Sequence, residues 1–217
     1  MLAVFIGSTR MRITDMEHRY LPMHDIETRN DADNDDLYLE GYFAVFNEIY
    51  KVWDGATESI APGAFADCIS GDVRALYNHN DDFILGRTAA GTLELKEDSR
   101  GLWGRIKLNR NDSDAMNVYE RIKRGDITGC SFGFNIAEEE TEYRDDGSVH
   151  WTIKKVDPLY EISPTIFPAY EATSVSARGK QLDDMKQRRL EIRKEELRKK
   201  LGRATNGTES TDAEKED

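Results

Sequence analysis

Cysteine is almost absent from this chain: Cys68 and Cys130 are the only two in 217 residues. One bridge is arithmetically possible, but two isolated cysteines are expected to stay reduced. The histidines are few as well, namely His18, His24, His79 and His150. No Cys/His grouping has zinc-ligand spacing, so neither a metal nor another cofactor is expected. Long apolar runs are missing. Nothing approaches the roughly 20 residues that span a bilayer, and no membrane association is expected. The apolar start, residues 1–6, is too short for a signal-peptide core and lacks a convincing small-residue cleavage site. A soluble, intracellular protein is the expectation. Positive charge is in deficit, with 30 Lys and Arg against 42 Asp and Glu for a net charge of −12. That deficit excludes sequence-independent nucleic-acid binding, which needs a basic, phosphate-neutralising surface.

Among the residues that are present, Ile127-Thr128-Gly129-Cys130-Ser131-Phe132-Gly133-Phe134 is the most informative stretch. It reads as a strand with unlike faces. Alternation places Thr128, Cys130, Phe132, Phe134 and Ile136 on one face, mostly apolar and suited to a core. Ile127, Gly129, Ser131, Gly133 and Asn135 share the other. Ser131 thus has a glycine two residues to either side. Interior strand glycines mark a bulge or a close approach by a ligand or another backbone.

The remaining chain reads as mainly β, in the α+β class. Residues 28–36, rich in Asp and Asn, predict an exposed loop. Residues 37–46 predict a central strand, aromatic on both faces. Pro62 opens a short helix that Gly71 ends. Residues 72–79 predict a strand with Val73, Ala75, Tyr77 and His79 on one face. That places His79 where the strand meets the polar Asn80-Asp81-Asp82. Residues 91–108 predict a hairpin turning at Asp98-Ser99-Arg100-Gly101. Asp112 or Ser113 caps a helix ending at Gly125, with Ala115, Tyr119 and Ile122 inward. A second hairpin turns at Asp145-Asp146-Gly147. Residues 159–170 follow as an edge or bulged segment carrying Pro164 and Pro168, with Glu161, Ser163 and Thr165 on one face. The composition divides the chain into a leader and polar loop (1–36), a folded domain (37–179) and a tail (180–217). In the tail, 181–201 predict a charged helix with a thin leucine stripe, and 202–217 predict disorder.

A hydroxyl needs a base to become a nucleophile, and the base works best when a third group fixes its tautomer. Ser131, His79 and Glu161 offer one of each kind on distant segments. By composition alone this is weak, since most proteins hold a Ser, a His and a Glu.

The ordered segments resemble the prohead proteases of tailed bacteriophages. They are Gly41-Tyr42-Phe43-Ala44-Val45-Phe46-Asn47, Ile60-Ala61-Pro62-Gly63-Ala64-Phe65, Ala75-Leu76-Tyr77-Asn78-His79-Asn80 and Leu85-Gly86-Arg87-Thr88. Then come Gly91-Thr92-Leu93-Glu94-Leu95, Asp98-Ser99-Arg100-Gly101-Leu102 and Gly125 through Phe134. Glu161-Ile162-Ser163-Pro164 and Phe167-Pro168-Ala169-Tyr170 close the series, before Thr173 and Arg178.

The resemblance implies a serine endopeptidase related to the herpesvirus assembly proteases, with a closed antiparallel β-barrel and flanking helices. It implies cleavage of scaffold and major capsid protein, and of the enzyme itself, inside the prohead assembling in the host cytoplasm. A homodimer is a possible working form. Carried over by motif, Ser131 is the nucleophile, His79 the base and Glu161 the third member, with Asp157 the fallback. His150 is disfavoured by its place beside a charged turn. Asn80 departs from the aspartate that many relatives carry there. Arg87 and Arg105 are further cationic candidates, and Cys130 is a rival nucleophile by adjacency. The competing reading is a non-catalytic assembly module that binds coat or scaffold through the charged C-terminal helix. A small-molecule-binding barrel would explain the strands but not the ordered motifs.

Overall fold

The computed structural model describes residues 16–22, 26–31, 36–144, 146–166 and, near the C-terminus, 187, 190, 191, 193–195 and 197–199. They belong to two compact units, Met1–Ser174 and Val175–Asp217. The expectations for residues 1–6 and 202–217, for most of 181–201, and for Phe167-Pro168-Ala169-Tyr170, Thr173 and Arg178 lie outside the described residues.

In the first unit the chain runs β1 (Glu17–Pro22), β2 (Glu27–Asp31), β3 (Asp36–Val45), β4 (Tyr50–Trp53), β5 (Ala56–Ile60), β6 (Arg74–Tyr77) and β7 (Asn80–Arg87). It continues through β8 (Leu93–Glu97), β9 (Gly101–Leu108), α1 (Ser113–Arg124), β10 (Gly129–Tyr143) and β11 (Val149–Thr165). One sheet has the order β1-β10-β11-β5-β4, with β6 added to β11 and β7 to β6; the other has the order β2-β3-β9-β8. The fold is mainly β, as the alternation predicts, but the closed antiparallel barrel is not found. Across the core, β3 and β10 meet through side chains and not through a ladder: Cys130 Sγ reaches the Tyr42 carbonyl at 3.4 Å. Nor is the larger sheet purely antiparallel. One side of the long strand β11 accepts two short parallel partners, β5 along Val149–Ile153 and β6 at Glu161 and Ile162. The segment carrying Pro164 is therefore interior, because β10 flanks it on the other side.

A single core draws on both sheets and α1, with Leu39, Phe43, Leu102 and Ile106 from one sheet and Phe132, Phe134, Ile153 and Ile162 from the other. Gly104 lets the sheets approach: a Cβ there would stand 3.0 Å from both Ile162 Cδ1 and the Phe43 ring. α1 forms as its sequence predicts. The Asp112 carboxylate accepts from the Asp114 and Ala115 amides at 2.9 and 3.3 Å, and Gly125 ends the helix at φ 86°. Ala115, Val118, Tyr119 and Ile122 face inward.

Three local expectations are corrected. The helix expected from Pro62 to Gly71 is a chain of turns, with bonds such as Cys68 N to Phe65 O at 3.1 Å. Gly63 at φ 89° breaks the helical run, and the Glu97 carboxylate takes the Gly63 and Phe65 amides at 2.7 and 2.8 Å. The loop expected from residue 28 contains β2, paired with β3. The strand carrying Ser131 starts at Gly129, and before it Ile127 is buried while Thr128 is exposed.

In the second unit every described residue is helical. Lys194 pairs with Glu191 and Lys199 with Glu195, at 2.9 and 3.0 Å. Leu190 and Leu197 are exposed.

Candidate active site

Directly opposed residues on neighbouring strands share a face, so the ladders around β10 define the site. One row across β1, β10 and β11 is His18, Gly133, Glu161; the next is Tyr20, Ser131, Ser163. Ser131 and Glu161 are therefore diagonal neighbours on one face. The opposite face of β10 carries Cys130, Phe132 and Phe134, all fully buried, as alternation predicts.

His79 reaches this patch from a turn, not from the strand expected to carry it. β6 ends at Tyr77 and β7 begins at Asn80, paired with it. The two connecting residues, Asn78 and His79, have φ of 56° and 60°. Two positive φ values in a two-residue connection are the mark of a type I′ turn, whose second position favours glycine. Histidine there is strained, and strain of this kind gathers at functional sites. The turn is tied to β11 by Asn78 N donating to the Pro164 carbonyl at 2.9 Å and His79 N donating to Ser163 Oγ at 3.3 Å.

His79 Nδ1 lies 2.8 Å from Glu161 Oε1. Opposite a carboxylate, Nδ1 is the protonated nitrogen, which leaves the Nε2 lone pair free. Ser163 donates its hydroxyl to Glu161 Oε2. Glu161 is 3 % exposed. Its ionic partners among the described residues are histidines only, His79 and, at 3.8 Å, His18 Nε2. The His18 and His79 rings meet edge to face with centroids 4.2 Å apart. Burial, and next the neighbouring His79, push the His18 pKa down to about 4. Ser131 Oγ and His79 Nε2 are both buried, and neither has a hydrogen-bond partner among the described residues. They therefore do not bond to each other in this conformation.

The structure thus brings Ser131, His79 and Glu161 to one patch. The alternatives lie elsewhere. Asp157 is exposed. His150 is engaged by the Thr57 and Ser59 hydroxyls at 2.8 and 2.9 Å. Arg87 grips Asp72 on the surface at 2.6 Å, and Arg105 pairs with Glu40 on the other sheet at 3.0 Å. Cys130 points into the core, where burial pushes its thiol up to about 12, so thiolate chemistry is suppressed. Two residues of the patch were given no role by sequence. Ser163 was placed on the face of Glu161 by alternation. His18 gave no signal, because β1 has no apolar period.

One group of His, Cys, Asp and Glu among the described residues has metal-ligand geometry: His18, His79 and Glu161, with one ligand atom from each within 4.8 Å of the others. No helix among the described residues is long and apolar enough to cross a membrane.

Comparison with known proteins gives three findings. The prohead protease of Enterobacteria phage HK97 is 28% identical over 161 residues, covering 72% of this chain and 67% of that protein. The structure of the bacteriophage T4 capsid assembly protease, gp21, aligns with a TM-score of 0.42 at 10% identity, over 69% of this chain and 96% of that one. The sequence pattern of the family described as Caudovirus prohead serine protease matches residues 24–188, well over half the chain. The match spans Ser131, His79 and Glu161 together, and the chain belongs to the caudovirus prohead serine protease family.

Proposed function

We propose that this chain is a serine endopeptidase of prohead maturation in which Ser131 is the nucleophile, His79 the general base and Glu161 the group that orients the base. One observation carries the reading: an imidazole held by a carboxylate at Nδ1, 2.8 Å away, keeps an unpartnered Nε2 on the patch of an equally unpartnered serine hydroxyl. Ser131 Oγ attacks the scissile carbonyl and Nε2 takes its proton. The imidazolium gives that proton to the leaving amine. Water then attacks the acyl-enzyme, with His79 again as base. Ser163 holds the second oxygen of Glu161 and so fixes the carboxylate plane. The gap between base and hydroxyl closes when substrate is bound, because catalytic hydrogen bonds are often long in free enzymes.

The substrates in this reading are the major capsid protein, the scaffold protein and the chain itself, cleaved inside the assembling prohead in the host cytoplasm. A homodimer is the working form suggested by kinship with herpesvirus assembly proteases. The second unit serves recruitment. Leu190 and Leu197, exposed at a seven-residue spacing, offer a seam to a partner helix.

The test is co-expression with the coat protein, followed by mass spectrometry of both chains. Ser131→Ala should fold, leave the coat protein whole and stop trimming of the protease. Continued cleavage by that variant would remove Ser131 from the nucleophile role. Wild-type inactivity toward both chains would instead favour the inert assembly module.

A further inference from the structure

We propose that His18, His79 and Glu161 form a site for a zinc-like divalent cation, and that occupancy switches the protease off. The donor set is two imidazoles and a carboxylate, a combination that suits zinc. In a tetrahedral site with bonds near 2.0–2.2 Å, donors sit about 3.3 Å apart. The observed separations bracket that value: His79 Nδ1 to Glu161 Oε1 is 2.8 Å and His18 Nε2 to the same oxygen is 3.8 Å. All three ligand atoms lie within 4.8 Å of one another, so each pair with Glu161 needs an adjustment of about 0.5 Å and the two imidazoles must approach by no more than about 1.5 Å to seat the ion.

A second observation also points to a cation. Glu161 is buried, yet no lysine or arginine pairs with it among the described residues. Arg74, its register partner on β6, turns instead to Asp72 at 3.2 Å. A buried carboxylate without a fixed cation is costly, and a metal would offset that cost. His18 is one-third exposed at its side chain, so the site has an entry from solvent.

The inhibitory step follows from the tautomer. A metal on His79 Nδ1 displaces the proton now facing Glu161, and the neutral ring carries it on Nε2. Nε2 then donates and can no longer accept the Ser131 proton. Coordination also takes Glu161 away from its orienting task. The ion blocks the base without touching Ser131. The inhibition rests on the catalytic reading above, whereas the binding rests on geometry alone.

The experiment uses full-length protein in the Ser131→Ala background, so that self-cleavage cannot consume it. Co²⁺ is titrated while its visible ligand-field bands are followed, and Zn²⁺ competes it off. One tetrahedral site per chain is expected. His18→Phe, which keeps a ring against His79, should weaken binding by at least tenfold, since even outer-shell losses cost about 10–100-fold in metal affinity. His18→Gln serves as second variant should the first fold poorly. With Ser131 restored, His18→Phe should keep its own zinc-free cleavage rate at zinc concentrations that silence the wild type. Absence of tetrahedral Co²⁺ bands, or equal binding by wild type and both His18 variants, overturns the proposal. Tight His18-dependent binding by a chain that never cleaves would uphold the metal site and defeat the protease reading alone.

Discussion

Adding one methyl group at Gly133 is the sharpest test of the site. Gly133 stands between His18 and Glu161 in the ladder. A Cβ there would lie 2.3 Å from Met16 Sδ, 2.7 Å from Glu161 Oε1 and 3.2 Å from Glu161 Cγ. Met16 ends in a flexible thioether and can move aside. Glu161 is buried and pinned by His79 and Ser163, so its retreat is felt. Restoring ordinary contact near 3.4 Å requires Oε1 to move by about 0.7 Å. Directed away from His79, that shift stretches the 2.8 Å bond to Nδ1 toward the 3.5 Å at which it ceases to be one. Misplacement on this scale costs up to about 100-fold in rate. Overpacking costs about 1–3 kcal/mol, or a Tm lower by about 2–12 °C for a chain of this size. The rate is read as the time course of coat-protein cleavage, normalised to folded enzyme, and Tm by scanning fluorimetry. In Gly133→Ala with Met16→Ala the thioether clash is gone and the carboxylate clash remains. Stability should recover in that double variant and cleavage should not. Wild-type cleavage by Gly133→Ala would show that the position of Glu161 does not matter to the reaction.

Three further outcomes are expected. His18 has its pKa lowered from 6.5 to about 4 by burial, so the unfolded chain binds a proton that the native chain refuses. Its contribution to stability is full above pH 6.5 and drains away as pH falls toward 4. In chelated buffer, His18→Phe should lose less urea resistance than wild type on going from about pH 7.5 to about pH 5, and parallel losses would refute the assignment. Cys130, pushed up to about 12, should resist iodoacetamide in the native protein at mildly alkaline pH and react once urea is added. Peptide mapping reads this, and fast native labelling would contradict the buried face of β10. Arg19 on β1 donates to Glu58 of β5 at 2.9 Å through Nη2 and lies 5.4 Å from the Phe134 ring centroid. Arg19→Met should cost about 3–5 kcal/mol in urea unfolding, the range for breaking a buried pair, and a loss under about 1 kcal/mol, the scale of an exposed pair, would refute that role.

Alternation was the most legible signal. It separated Ser131 from Cys130, which the structure buries in the core, and grouped Glu161 with Ser163. The same signal misled at His79. The period of Val73, Ala75 and Tyr77 runs on formally to residue 79, but a tight connection overrides it. Asn78 was the sign, since asparagine tolerates positive φ. β1 and β2 were illegible for another reason. Arg19, the residue that ties β1 down, is a charged residue bonded to Glu58 and Glu17, and β2 shows no buried residue. Neither carries the apolar stripe that sequence reading depends on. The 61–70 segment was misread because Pro62 fits a first helical turn, whereas the next residue, Gly63, has φ 89°. Pairing order was out of reach as well. Nothing in single strands announces that β5 and β6 will share one side of β11.

Where the proposed base is mounted bears on how the proposed site works. Ser131 and Glu161 sit on β10 and β11, paired along most of their length. Shifting one against the other would break a ladder and flip faces. His79 sits on a turn whose strand β6 meets β11 at only two register positions. After Tyr77 and Asn80, the β6–β7 ladder skips to Leu76 and Ile84 and leaves residues 81–83 looped out. The cheaper adjustment is therefore in the turn. Residue 79 also holds a positive φ of 60°, which costs an L-residue about 1–2 kcal/mol, and a small rotation there swings the ring while both strands stay paired. In the proposed catalytic reading, the unmade bond between Nε2 and Oγ is thus a feature of the free enzyme. In that reading substrate binding brings Nε2 to Oγ, and this turn is where binding and catalysis are coupled.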